Sequence, residues 1–481
     1  MAIQKETLGF SDRVRVNGVS TEANITGDGR ITWREGGEER YLSAEAEVLG
    51  FGREGSMVRV RGFVKKRRGG KRVRRDLVFE PSTVESMGLW CEKLRVCIDS
   101  LGRPKRLFII VNPYGGKKCA RKIFHNEVKP LLVAADIQFT LQETEYQLHA
   151  KEIAISLDIL KYDGIICVSG DGVLVEVVNG LLQREDWATA IKLPLGIVPA
   201  GTGNGMAKSL LDEVNDSCSV SNAVFAIIRG HKRPLDVATV LQDRIRFFSV
   251  LMLTWGLVAD IDIESEKYRW MGSARLDFYC LMRLVNLRRY LGQVSFVPAP
   301  GYETFGQPIL QNGNCNCDLE TQDQGHLDKI VQDGYQGPST SFETHEWRSI
   351  DGPFISVWLH NVPWASADIM PAPAAKFADG YLDLVIIRDC PRALLISLLM
   401  KFSDGTHVKS PYVMYLKVKA FRLEPGSRAG NPKKGGIIDS DGEVIARGKG
   451  TYNCQQVDLM AYGPPIYMTV DQALATIFSP I

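Results

Sequence analysis

From Pro104 to about Lys232, short apolar runs alternate with longer stretches of helical periodicity. Leu107–Val111, Ile137–Glu143, Gly164–Val168 and Leu193–Val198 are rich in branched apolar residues, and each predicts a strand. Near Lys117–Ala134, Gln147–Leu160 and Val173–Gln183 apolar positions recur at helical spacing. This alternation implies a parallel sheet with helices packed on it. The chain before Arg103 reads differently. Alternating patches such as Met57–Val64, among many turn residues, predict a small β module. Beyond Pro234 short strands dominate, at Phe247–Thr254, Phe354–Leu359, Leu382–Ile387 and Tyr415–Leu423. A long helical stretch, Glu264–Tyr290, and a shorter one, Arg392–Lys401, interrupt them, which predicts a second, mostly β domain. Gly301–Trp347 is polar and lacks periodicity, as expected of a mobile surface insertion.

Bulk composition narrows the class. The chain has 481 residues, 45% hydrophobic and 24% charged, with a net charge of +2. These are the proportions of a globular protein of two or three domains. Met1–Arg15 is polar and carries no secretory signal. The longest apolar run, Phe247–Ala259, is shorter than the roughly twenty residues of a membrane span. The 10 cysteines are scattered, which suits reduced thiols in a cytosolic protein. Cys315 and Cys317 are too close-set, and too isolated, for a zinc pair. Lys65–Arg75 is strongly basic and leaves three readings open: a solvated loop, an anionic-lipid contact, or a nuclear-import or nucleic-acid patch. No aromatics interleave it, which argues against a single-stranded nucleic-acid surface.

The candidate chemistry lies at the carboxyl ends of the predicted parallel strands, where open α/β sheets bind ligands. Three Gly-rich turns fall there: Asn112-Pro113-Tyr114-Gly115-Gly116-Lys117, Ser169-Gly170-Asp171-Gly172, and Pro199-Ala200-Gly201-Thr202-Gly203-Asn204-Gly205. In the second, a strand delivers Asp171 to the mouth of a helix. Backbone N–H groups there can face a phosphate, and the carboxylate can reach an attacking hydroxyl. Known phosphate motifs do not account for the set. There is no Walker A sequence and no protein-kinase H-R-D or D-F-G. Gly201-x-Gly203-x-Gly205 departs from the dinucleotide fingerprint, and Asp439–Glu443 departs from the EF-hand loop.

Taken together, Asn112-Pro113 with Gly115-Gly116, Ser169–Gly172 with Glu176 and Asn179-Gly180, Pro199–Asn204, Ala259–Arg269 and Asp441-Gly442-Glu443 resemble the diacylglycerol-kinase-like lipid kinases. Within them the chain resembles the plant-type sphingoid-base kinases over roughly Arg103–Ile481. The resemblance implies an α/β nucleotide-binding domain with a phosphofructokinase-like or NAD-kinase-like parallel sheet, followed by a β-sandwich lipid-binding domain. The expected boundaries are 1–103 for a basic, β-rich extension, 104–233 for the catalytic domain, and 234–481 for the lipid domain with the 301–347 insertion.

The resemblance also implies ATP- and magnesium-dependent transfer of the γ-phosphoryl group to the primary hydroxyl of a long-chain base. Asp171 is then the general base, with Ser169, Gly170 and Gly172 beside the substrate. Asn112, Pro113, Tyr114, Thr144 and Glu176 match nucleotide-contacting positions. Gly201, Thr202 and Gly203 offer backbone N–H groups to the phosphates. Arg269 and Arg275 match phosphate-facing arginines, and Asp441, Gly442 and Glu443 return to the nucleotide or its metal. No metal-ligand set is identified beyond magnesium carried by ATP.

A sphingoid base has an ammonium beside its reactive hydroxyl, and an apolar pocket holding that cation needs a carboxylate. Asp260 and Asp262 share one face if the strand before them continues, and the resemblance picks Asp262. Met252, Trp255, Leu257, Val258 and Phe278 are candidates to line the lipid tail. The expected partners are the lipid and an anionic membrane surface, without nucleic acid, in a cytoplasmic and peripherally associated protein. A ceramide or diacylglycerol kinase, and a non-catalytic lipid-binding scaffold, are the alternatives.

Overall fold

The computed structural model describes residues 9–66, 70–116, 118–272, 274–309, 334–338, 346–452 and 458–481. The N-terminal module is an antiparallel sheet. Its strands run in the order Glu38–Ser43, Arg30–Glu35, Val19–Ile25, Phe10–Val16, Leu77–Pro81, Met57–Lys65 and Val48–Glu54. The sequence reading had no helix here. Val84–Asp99 forms one, capped by Thr83, and buries Met87, Trp90 and Leu94 against the sheet, with Trp90 stacked on Phe79. Those positions recur at helical spacing, a signal hidden by the turn-rich segments around them.

This module is fused to its neighbour. Leu49 and Phe63 belong to the same apolar core as Leu107, Val168 and Phe225. The buried Arg103 guanidinium donates to three carbonyls, of Leu49 (2.7 Å), Ala44 (2.7 Å) and Val48 (2.8 Å). The basic segment takes part in the same joint. Lys65 pairs with Asp216 at 2.5 Å, and Arg72 lies 4.4 Å from the Phe225 ring centroid. Arg74 pairs with Asp76, so three of these cations have partners inside the molecule. Residues 67–69 of the run lie outside the described residues.

Next comes the parallel sheet, in the order Gln138–Glu143, Arg106–Val111, Gly164–Ser169, Leu195–Pro199. The apolar, largely β-branched residues of its last three strands are buried on both faces, beneath helices Asp171–Leu182, Gly205–Asp212 and Val220–Arg229, while the edge strand Gln138–Glu143 stays partly exposed. The last strand, Ile466–Phe478, reaches back to extend this sheet, pairing Leu195 with Ile477. It also joins the antiparallel strands Lys232–Gln242 and Val413–Arg428 of the second half.

That second half departs from the sequence reading in two places. The apolar run at Phe247 becomes two strands, Ile245–Ser249 and Met252–Gly256. The chain then turns at Gly256 (φ 94°) into the helix Leu257–Glu264. A Cβ on Gly256 would sit 2.6 Å from the Ile355 carbonyl oxygen, so the turn needs glycine. The expected helix Glu264–Tyr290 breaks into a 3₁₀ segment, Ser265–Met271, and the helix Ala274–Val285; Tyr290 opens a strand. The polar insertion lies mostly outside the described residues. Part of it, 334–338, rejoins the body, where Tyr335 packs on Trp187 and Phe248.

Candidate active site

The three Gly-rich turns follow neighbouring strands of the parallel sheet, and their backbones touch. A Cβ on Gly116 (φ 53°) would fall 2.9 Å from the Gly201 carbonyl carbon. One on Gly170 would fall 3.1 Å from Gly201 Cα, and one on Gly201 only 2.3 Å from Gly170 Cα. Approach this close excludes any side chain. Gly172 is different, because a Cβ there meets open space. In the first turn the Asn112 side-chain oxygen accepts the N–H groups of Tyr114 (2.9 Å) and Gly115 (3.2 Å). The Tyr114 ring is left exposed. Pro113 lies between them, and Thr144 is buried nearby, its N–H donating to the Val111 carbonyl at 2.9 Å.

The third turn corrects one expectation. Asn204, in the left-handed region at φ 60°, accepts the Gly201 N–H at 2.9 Å and donates to the Gly201 carbonyl at 3.0 Å. The Gly201 N–H is therefore used to close the turn. The N–H groups of Thr202 and Gly203 have no acceptor among the described residues.

Asp171 opens the helix Asp171–Leu182, yet its carboxylate serves a different one. Oδ2 accepts the Gly205 N–H at 2.7 Å and Oδ1 the Met206 N–H at 3.0 Å, at the start of Gly205–Asp212. Glu176, farther along the same helix, accepts the Ala150 N–H at 3.1 Å, at the start of His149–Ser156. One helix thus sends two carboxylates to the N-termini of two others, where orphan donors and the helix dipole favour negative charge. Burial nevertheless outweighs those hydrogen bonds and pushes both pKa values up. A buried carboxylate with a raised pKa is the better proton acceptor near neutrality. Beside it, Ser169 is buried, with its hydroxyl donating to the Gly170 carbonyl at 2.7 Å.

The second half contributes a second group of carboxylates. Asp441 (φ 55°) and Gly442 (φ 85°) form the two-residue turn joining strands Ile437–Ser440 and Glu443–Arg447. Asp-Gly suits a hairpin with two left-handed residues. Asp441 Oδ1 accepts the N–H groups of Leu251 (2.8 Å) and Met252 (2.9 Å), and burial pushes its pKa to about 6. Glu443 reaches the first half, where Gln147 donates to its carboxylate at 3.0 Å. Burial and the nearby Glu176 charge push the Glu443 pKa to about 7.

Asp260 and Asp262 do not share a strand face, because both lie on the helix Leu257–Glu264 and diverge around it. Asp260 is buried against Arg288 (3.1 Å) and the Tyr290 hydroxyl (2.5 Å), a structural pairing. Asp262 lies on the other side, within electrostatic reach of Asp439 and Arg275. Arg275 Nη1 is buried without a hydrogen-bond partner. The Arg269 side chain lies outside the described residues. Of the tail-lining candidates, Met252 and Leu257 are buried in one apolar cluster with Trp358 and Phe402, and Val258 packs against it. Trp255 belongs to the opposite face of its strand, with Tyr290 and Phe354, and Phe278 is exposed. Period-two alternation separates Trp255 from Met252 only once the strand is known to run Met252–Gly256.

The Diacylglycerol kinase catalytic domain family matches residues 106–240, and the YegS C-terminal NAD kinase beta sandwich-like domain family matches 341–459. The chain is 58% identical to Sphingosine kinase 2 of Arabidopsis thaliana, over 97% of this chain and 96% of that protein. It is 56% identical to Sphingosine kinase 1 of the same plant, over 98% and 96%. To Sphingosine kinase 1 of Homo sapiens it is 34% identical, over 72% of this chain and 87% of that protein. The chain belongs to the sphingosine kinase family. In this member of the family, the sequence reading missed Asn204, which closes the third turn, and Asp439, which lies wholly buried beside Asp262 and Asp441. Neither residue type at its position signals more than a turn or a strand end.

Proposed function

We propose that the chain transfers the γ-phosphoryl group of ATP to the primary hydroxyl of a sphingoid long-chain base, with Asp171 as the proton acceptor. The observation that carries this is the Asp171 carboxylate, buried and held by two N–H groups beside three interlocked glycine turns. Phosphoryl transfer needs positioning, charge neutralisation and an acceptor for the hydroxyl proton. Backbone N–H groups of Thr202 and Gly203 take the phosphates, and Asn112, Pro113, Tyr114, Thr144 and Glu176 frame the nucleotide. Asp262 takes the substrate ammonium. The division of labour follows the chain: 104–233 holds the nucleotide and 234–481 the lipid, although strand Ile466–Phe478 serves both sheets.

Magnesium accompanies ATP in this reading. Among the described residues no group of three or more histidine, cysteine or acidic side chains converges to hold a metal ion. A magnesium ion carried by ATP is held mostly by phosphates and water, with one or two carboxylates. Asp441 and Glu443 are the carboxylates offered, and the ion would neutralise phosphate charge.

The protein would work as a peripheral enzyme on the cytoplasmic face of a membrane. No helix among the described residues is long and apolar enough to cross one. Trp270, Leu281, Val285, Leu394, Ile396 and Met400 are exposed apolar side chains on neighbouring helical segments, and these support membrane contact better than the partnered cations of the basic hairpin. The deciding experiment is a lipid panel with ATP. Sphingosine is expected to turn over fastest, and faster turnover of ceramide or diacylglycerol would overturn the reading. Liposome pelleting is expected to weaken with Leu281→Asp and Val285→Asp; unchanged pelleting would remove the membrane contact.

A further inference from the structure

The Asp439 side chain is fully buried, and neither carboxylate oxygen has a hydrogen-bond partner among the described residues. The Gly442 N–H lies near it, short of hydrogen-bond geometry, and the charges of Asp262, Asp441 and Glu443 add to the cost of ionising it. A buried carboxylate without donors is costly, so an arrangement that keeps one calls for an occupant that supplies them.

Strand pairing shows which way Asp439 faces. In the pairing of Met252–Gly256 with Ile437–Ser440, Thr254 stands opposite Asp439 and Trp255 opposite Ile438. Trp255 and Ile438 belong to the core of the β-sandwich. Thr254 and Asp439 therefore share the other face. Ile437 is on that face too, and it packs with Ala259 and Ile263 of the helix Leu257–Glu264. Asp262 follows Ala259 by three residues, so it lies on the side of the helix turned toward this face. Its charge is among those that act on Asp439. The Thr254 hydroxyl is itself fully buried and without a partner among the described residues. So is the Ser356 hydroxyl, on the same face one strand over. Two carboxylates and a hydroxyl thus face one region with more acceptors than donors, and among the described residues the one nearby cation, Arg275, acts on Asp262 without hydrogen-bonding to it.

We propose that Asp439 and Thr254, together with Asp262, form a three-point cradle for a primary ammonium group. An ammonium has three N–H donors and one positive charge. One carboxylate would suffice to neutralise it. A second carboxylate and a hydroxyl at the same place supply acceptors for the remaining donors, whereas a neutral amide would leave the buried negative charge uncompensated. The cradle rests on the reading of the substrate as a sphingoid base. Asp439 and Thr254 act as specificity-determining residues and take no part in moving the proton.

The test uses the full chain with ATP and sphingosine, in wild type, Asp439→Asn and Thr254→Val. Asp439→Asn is expected to raise KM for sphingosine roughly tenfold, as loss of a charged hydrogen bond does, with kcat little changed. Thr254→Val is expected to raise it by a smaller factor. Thermal unfolding without lipid separates this from a structural role. Removing an unpartnered buried carboxylate is expected to leave Tm unchanged or higher. A lower Tm with an unchanged KM would overturn the proposal. Binding of octadecylamine and of octadecyltrimethylammonium, followed by tryptophan fluorescence, is the second arm. Wild type is expected to prefer the primary amine, and Asp439→Asn to narrow the gap. Equal gaps in both proteins would also overturn it. A wild type that binds octadecylamine in this manner without phosphorylating sphingosine would sink the proposed reaction and leave the cradle standing.

Discussion

Asp171 and Glu176, in the first half of the molecule, are buried carboxylates with backbone donors built in. Asp262 and Asp439, in the second half, are carboxylates that burial disfavours, and neither Asp439 oxygen has a hydrogen-bond partner among the described residues. Both pairs pay a desolvation cost, but the fold offsets it only for the first. Helix N-termini hold Asp171 and Glu176 through backbone N–H groups, with no ligand needed to supply them. The second pair has no such built-in donors among the described residues, only the Arg275 charge acting on Asp262, and it is the pair that we propose a substrate ammonium completes. The difference separates a fixed chemical group from a recognition surface, and it can be tested from both sides.

The largest effect is expected for Asp171→Asn. Loss of a general base lowers kcat by about a thousandfold. The amide can accept only one of the two N–H groups, so stability falls by about 1 kcal/mol. Turnover of sphingosine and a thermal melt measure the two quantities. Substantial retained turnover would remove Asp171 from the chemistry. Gly201→Ala comes next. Its Cβ would lie 2.3 Å from Gly170 Cα, so the turns must separate. A loss of about 1–3 kcal/mol in urea unfolding is expected, with a raised KM for ATP. A wild-type midpoint would mean that the turns can yield freely.

Asp262→Asn should act on the other side of the comparison, raising KM for the base roughly tenfold while the KM for ATP stays put. A matching rise for ATP would place Asp262 with the nucleotide. The smallest effect is a pH dependence. Burial and Glu176 raise the folded pKa of Glu443 to about 7, above its ordinary value of 4.5. The folded state therefore binds more protons than the unfolded state between these values. Stability is full below the lower value and falls as pH rises toward 7. Glu443→Gln is expected to flatten that slope in denaturation curves taken across the window. An unchanged slope would mean that other acids set it, with Asp236 and Asp441, each near 6, the first to examine.

The first half was legible in the sequence because its signals are local. Four apolar runs gave four parallel strands, and the glycines of the three turns stand where strand ends require close backbone approach. What escaped was relational. Nothing near Asp171 says that its carboxylate reaches Gly205 and Met206, and nothing near Asn204 says that it consumes the Gly201 N–H. The second half was harder for a physical reason. An apolar run ending in alternating acids, Ala259–Asp262, fits a strand as well as a helix. The decision falls to Gly256, whose φ of 94° lets the chain turn against Ile355. Once the helix forms, Asp260 and Asp262 diverge, and Asp262 comes within electrostatic reach of Asp439. The Lys65–Arg75 run shows the same limit. Charge alone cannot reveal that Asp216 and Phe225 are waiting for it.

The strand Ile466–Phe478 has a consequence for how the molecule is made. The sheet that carries Asp171 borrows its outer strand from a segment synthesised long after it, and Phe478 packs against Gly164 at the base of the Asp171 strand. While the chain is still emerging from the ribosome, the catalytic sheet has an open edge that nothing nearby in sequence can close. A chain lacking Ile466–Phe478 would leave that edge of the Asp171 sheet, and the strand Lys232–Gln242, without a pairing partner.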